Sequence, residues 1–226
     1  MSTLQHRAGP LAGLAFAVLY TAFGLSPLMD LPEGASTDQQ VIALVAEGGS
    51  RTGIVLGGAL VGLSGVAMLM FLADLRRRLA VGAPDSSLPA LAFGAGLIYV
   101  AMLFLAGNAW TGYATGIAVG ELPVPQDATL LRVLSDSGFG LLLIYGLLAA
   151  ATCVVATSLS ARRTGLLSKT LTTSGFVIAA ILCVGFTYVP QFLVPLWVIA
   201  ISIALLRQPP QVSTGQTGGR ILASPR

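Results

Sequence analysis

Few residues in this chain are of types that do chemistry, and those few lie at the edges of long apolar stretches. Asp30, Glu33 and Asp136 are carboxylates at such edges, and Arg51 and Arg132 are cations near the same edges. A carboxyl at an apolar boundary loses hydration, which raises its pKa, whereas a neighbouring guanidinium lowers it. Asp30, Glu33 and Asp136 are therefore the candidate proton donors, and Arg51 and Arg132 the candidate clamps for an anionic or polar head group. The structural reading of the same residues is anchoring, with each charge fixing a helix end in the interface and pairing with its neighbour.

Other catalytic constellations do not emerge. The single histidine, His6, lies near the N-terminus, and Cys153 and Cys183 stand alone in separate apolar segments. They offer no metal or haem ligand set, so no metal and no cofactor is expected, and their depths differ too much for a disulfide. Nucleophile elbows, phosphate loops and dinucleotide glycines are missing too. Mild polar residues punctuate the apolar stretches: Tyr20, Thr21, Ser64, Tyr99, Asn108, Tyr145, Thr152, Tyr188 and Gln191. In hydrocarbon such groups hydrogen-bond from helix to helix. Asn108, with Trp110 and Tyr113 beside it, is also placed to meet a ligand at an apolar edge.

The elements that must position these residues follow from composition. Of 226 residues, 55% are hydrophobic and 9% are charged, against about 25% charged in a soluble domain. The relevant solvent is a bilayer, and the net charge of +3 requires no nucleic-acid partner. A spanning helix needs about 20 mainly apolar residues. Six segments qualify: 11–28, 53–73, 89–107, 137–157, 171–189 and 191–206. The last two fall in one uncharged run between Lys169 and Arg207, too long for a single helix, and Pro190 and Pro195 mark a hairpin within it.

Charge orients the chain. With the N-terminus inside, Arg7, Arg76, Arg77, Arg78, Arg162, Arg163, Lys169, Arg207, Arg220 and Arg226 all fall on the cytoplasmic side, and only Arg51 and Arg132 fall outside. That is the distribution the positive-inside bias favours. The expectation is an all-α, six-span bundle over residues 1–207, with both termini cytoplasmic. Residues 208–226, rich in proline and glycine, form a cytoplasmic tail. Abundant arginine, alanine and glycine suit a high-GC bacterial genome and hence a bacterial plasma membrane.

Two long outer connections remain. In the first, Ser36, Thr37 or Asp38 caps a short helix that Gly48 and Gly49 end. In the second, Asp127 caps a helix carrying Leu130, Leu131, Val133 and Leu134. The uncharged run from Ser86 to Gly120 exceeds one span. Its later part reads as an outer loop anchored by Trp110 and Tyr113, although Gly112, Gly116 and Gly120 would also permit a helix extension or a re-entrant dip. Gly58, Gly62 and Gly65 share one helix face, which lets the Ala90–Gly94 or Ala92–Gly96 pair of the third span approach, or a second copy of the chain. A bulky residue at Gly62 is expected to overpack that contact.

The string Phe71-Leu72-Ala73-Asp74-Leu75-Arg76-Arg77-Arg78-Leu79, Arg51 ahead of a glycine-rich span, and Pro195-Leu196-Trp197-Val198 ahead of Ser202 and Arg207 resemble uncharacterised six-span bacterial membrane proteins of the DUF4386-like type. The resemblance implies a fold and no activity. The leading functional expectation is a bundle that binds or helps move an apolar or amphiphilic small molecule through a pocket at the outer face. Arg51, Arg132, Asn108, Trp110 and Tyr113 would then be the ligand-binding set, with membrane lipids as surroundings. The alternatives are a membrane-embedded isoprenoid or lipid cyclase using Asp30, Glu33 or Asp136 as proton donor, and an assembly subunit that holds a partner through its glycine face.

Overall fold

A computed structural model describes residues 3–24, 37–184 and 188–208. Asp30, Glu33, Ser36 and the tail residues 209–226 lie outside the described residues. Within them every regular element is helical and there is no strand. Helix α1 spans Thr3–Gly24, α2 Asp38–Ala46, α3 Gly48–Gly82, α4 Leu88–Ala118, α5 Thr129–Gly140, α6 Leu147–Thr164, α7 Lys169–Val184 and α8 Leu193–Leu206. A π-helical segment, Leu141–Gly146, joins α5 to α6, and a 3-10 turn, Val189–Phe192, precedes α8. Four helical stretches are long and apolar enough to cross a membrane: Gly48–Gly82, Leu88–Ala118, Thr129–Thr164 and Val189–Leu206. Helices α1 and α7 complete the bundle, α1 packing along α3 and α8, and α7 along α6.

Local chemistry explains the boundaries. Thr37 and Gln40 form a capping box, with the Thr37 amide donating to Gln40 Oε1 at 2.9 Å and the Gln40 amide to Thr37 Oγ1 at 3.4 Å, so two of the unpaired amides at the start of α2 are satisfied. Asp127 accepts from the Thr129 amide at 2.9 Å, which fixes the entry to α5. Gly165 ends α6 at φ +68°, a left-handed conformation that costs glycine nothing. Arg162 and Arg163 in the last turn of α6 complement the negative end of its dipole.

Three expectations are corrected. The segment beyond Gly107 is neither loop nor dip: α4 continues to Ala118. Its glycines are tolerated because the helix packs against α3 and α5; within it, Thr111 Oγ1 and Thr115 Oγ1 donate back to the Gly107 and Thr111 carbonyls at 2.8 and 2.9 Å. Gly48 and Gly49 do not end α2; they begin α3, and the break is the extended backbone of Glu47 (φ −72°, ψ 125°). The glycine face of α3 is only partly used. A Cβ added at Gly58 would stand 2.6 Å from Thr111 Oγ1 and one at Gly65 2.2 Å from the Phe104 ring, but one at Gly62 would meet nothing within 4 Å. The α4 pair that faces α3 is Ala92–Gly96, with Gly96 against Leu72, whereas Gly94 points to open space.

The main core runs the length of the bundle. Phe16, Phe71, Leu72, Leu79, Tyr99, Leu103, Leu142, Trp197 and Ile201 are buried in it. A smaller cluster of Val45, Ile54, Ala114 and Ile117 joins α2, α3 and α4 at one end. That is the α2 end; the opposite, arginine end carries Arg76–Arg78, Arg162, Arg163 and Lys169. Cys153 is buried and Cys183 exposed, and both are free thiols.

Candidate functional site

The α2 end holds most of the residues picked out by their chemistry. Helix α2 is amphipathic, with Val41 and Val45 buried and Asp38 exposed. It lies across the ends of α3, α4 and α5. Below it is a cleft of about 40 Å³ lined by Val41, Leu44 and Val45 of α2, Ile54 of α3, Ala109, Trp110, Tyr113 and Ala114 of α4, and Leu131, Leu134 and Ser135 of α5. Trp110 and Tyr113 are thus brought together on one wall. The Tyr113 hydroxyl donates to the Pro123 carbonyl at 3.1 Å, tying the connection after α4 back to the helix.

Arg132 sits beside this cleft, and its partner is Asp38: Nη2 and Oδ1 are 3.1 Å apart. The acids that sequence proximity offered were Asp30, Glu33 and Asp136. Of these, Asp136 is exposed on α5 and makes no ion pair among the described residues, and the other two lie outside them. The Arg132–Asp38 pair links α5 to the first turn of α2 and so straps α2 over the cleft. Arg51 stands one turn beyond Ile54 on α3, partly exposed, with no ion pair among the described residues. Asn108 is exposed on α4 and does not line the cleft.

Deeper in the bundle a second, smaller chamber of about 10 Å³ is lined by Tyr20, Phe23, Gly24, Leu103, Trp110, Leu142, Tyr188 and Gln191. Three of the mild polar residues converge there. Tyr20 Oη donates to Gln191 Oε1 at 2.9 Å, both side chains being buried, and Tyr188 Oη donates to the Gly24 carbonyl at 3.1 Å. Around the chamber runs an arc of rings, Phe23–Trp110–Phe139–Tyr188–Phe192–Tyr20, each within 5.2 to 6.5 Å of the next. Such spacing suits offset and edge-to-face contacts.

Sequence reasoning missed a buried acid at the arginine end. Asp74 is 8% exposed, bonds Arg78 Nε at 2.7 Å and pairs with Arg77. It faces the backbone of α1 so closely that a Cβ at Gly9 would lie 2.2 Å from the Asp74 Cβ. The available signal was an acid three and four residues before arginines on one helix, spacing that puts the partners on one face.

Compared with models of protein families, with curated proteins and with solved structures, the chain finds no match. The functional argument therefore rests on this geometry.

Proposed function

We propose that the protein binds an apolar or amphiphilic small molecule in the cleft beneath α2, with α2 as its strap. The observation that supports this reading is the lining: ten of the eleven residues around the cleft are apolar or aromatic, and Ser135 is the exception. Binding pockets for such ligands share this character, a mostly apolar wall with few polar groups. Ligand entry requires α2 to lift, because the cleft of about 40 Å³ is smaller than a pocket that encloses a ligand of drug size, ~300 Å³ or more. Among the described residues, the buried Val41 and Val45 and the Arg132–Asp38 pair hold this short helix down.

The proposal includes the setting. Helices α1, α3, α4, the α5–α6 unit, α7 and α8 form six spans of a plasma-membrane protein, the layout that the DUF4386-like resemblance implies. The arginine end is cytoplasmic, as are both termini, and the α2 end opens outward.

Ala109 lines the cleft and is partly exposed, so Ala109→Phe fills the space without wedging the core. Native mass spectrometry of the purified protein is expected to show a bound lipid or metabolite in wild type and its loss in Ala109→Phe at unchanged thermal stability. The same species in both, or none in wild type, removes the reading.

A further inference from the structure

Among the described residues, Trp110 alone lines both the outer cleft and the deeper chamber. Its indole is packed on several sides, but its hydrogen bond is long. Nε1 donates to the Ser135 carbonyl at 3.3 Å, near the long limit for such a bond. The ring lies against Gly138, where an added Cβ would stand 2.5 Å from Nε1. Phe23 stacks on it at 6.0 Å and Phe139 is tilted against it at 5.2 Å. Just beyond Gly138 begins the π-helical segment, which contributes Leu142 to the chamber wall; such segments recur at functional sites.

The far end of the chamber is polar, and among the described residues that line it none is charged. Gln191 accepts from Tyr20, and its amide lies beside the Tyr188 hydroxyl. Tyr99, 1% exposed, brings its hydroxyl next to that of Tyr20 without closing a hydrogen bond of ordinary geometry. An ion entering here would lose its hydration and find no countercharge among the described lining residues, whereas a neutral oxygen would find the Gln191 amide as donor. The volume of about 10 Å³ accommodates one such atom.

We propose that the cleft and the chamber are two compartments of one site, divided by Trp110, and that the inner compartment takes the uncharged hydrogen-bonding head of an amphiphile whose chain fills the outer cleft. Gln191 and Tyr20 read the head; the α2 cleft holds the chain. The ligand class is accordingly a long-chain alcohol or carbonyl compound, bound head inward. This inference rests on the reading of the outer cleft as a binding site, and its test separates the two.

Trp110 and Trp197 are the two tryptophans, so full-length protein carrying Trp197→Phe reports Trp110 fluorescence alone. In nanodiscs it is titrated with 1-dodecanol, dodecane and dodecyl phosphate. Dodecanol is expected to change the Trp110 emission at roughly tenfold lower concentration than dodecane, the worth of about one net hydrogen bond, with dodecyl phosphate no better than dodecane. Gln191→Leu is expected to bring dodecanol to within about twofold of dodecane while the dodecane response persists. Tyr20→Phe, which removes only the hydroxyl, is expected to act in the same direction should Gln191→Leu fail to fold. Equal wild-type responses to dodecanol and dodecane overturn the inner compartment and leave the cleft standing. A stronger response to dodecyl phosphate overturns the uncharged head. No response to any chain overturns the cleft reading and this inference with it.

Discussion

Two ion pairs of similar length differ in what they do, and burial decides it. Asp74 and Arg78 are 8% and 10% exposed, whereas Arg132 and Asp38 are 27% and 65% exposed. Removing the acid of the first pair leaves a guanidinium in a poorly hydrated place without its carboxylate, a change that costs about 3 kcal/mol at buried sites. Asp74→Asn should therefore lower the thermal midpoint in detergent markedly. Arg132→Gln should cost at most about 1 kcal/mol, because an exposed pair exchanges its partner for water. Equal losses in the two variants would show that the arginine end is as wet as the α2 end. The individual residues of the candidate site were legible where chemistry stands alone, as with Trp110, Tyr113 and Arg132. Their partners were not: Tyr20 and Gln191 are 171 residues apart, and sequence holds no local trace of such a contact.

Helices show the same division between local and distant causes. The start of α2 could be read to within a residue from the cap oxygens of Ser36, Thr37 and Asp38, and the structure settles it on Thr37, where Gln40 completes a capping box. The outward half of α4 could not, since Gly112 and Gly116 lower helix propensity and packing against α3 and α5 offsets this. The glycines of α3 carry the contrast into stability. All three sit on one face, yet Gly62 meets open space, while Gly9 on α1, which no spacing rule singled out, is pressed against Asp74. Gly9→Ala should separate α1 from α3 and destabilise by about 1 to 3 kcal/mol. Gly62→Ala should leave the thermal midpoint unchanged or raise it slightly, as alanine favours the helix by up to ~1 kcal/mol. A loss at Gly62 matching that at Gly9 would indicate a partner on this face.

At the scale of the molecule, the all-helical fold was legible because composition leaves few alternatives: apolar stretches of this length satisfy their backbone groups only as helices. Orientation is checked by reporter fusions at residues 80, 120 and 165, expected to read inside, outside, inside; another order overturns the map. One feature of the fold bears on where such a protein settles. Helices α3 and α4 have 35 and 31 residues, but α7 has 16 and the stretch through α8 has 18. At ~1.5 Å per residue the described helices are about 50 Å long on one flank and about 25 Å on the other. In the proposed six-span setting the charged ends of α3, at Arg51 and at Asp74 to Arg78, stand outside a hydrocarbon layer of ~30 Å, whereas the shorter flank falls short of it and would draw the lipid surface inward, at a fraction of a kcal/mol per Å of mismatch. Thin bilayers relieve that deformation. The protein should unfold at a higher temperature in nanodiscs of 14-carbon than of 20-carbon lipids, and within a cell it should concentrate where the membrane is thinnest.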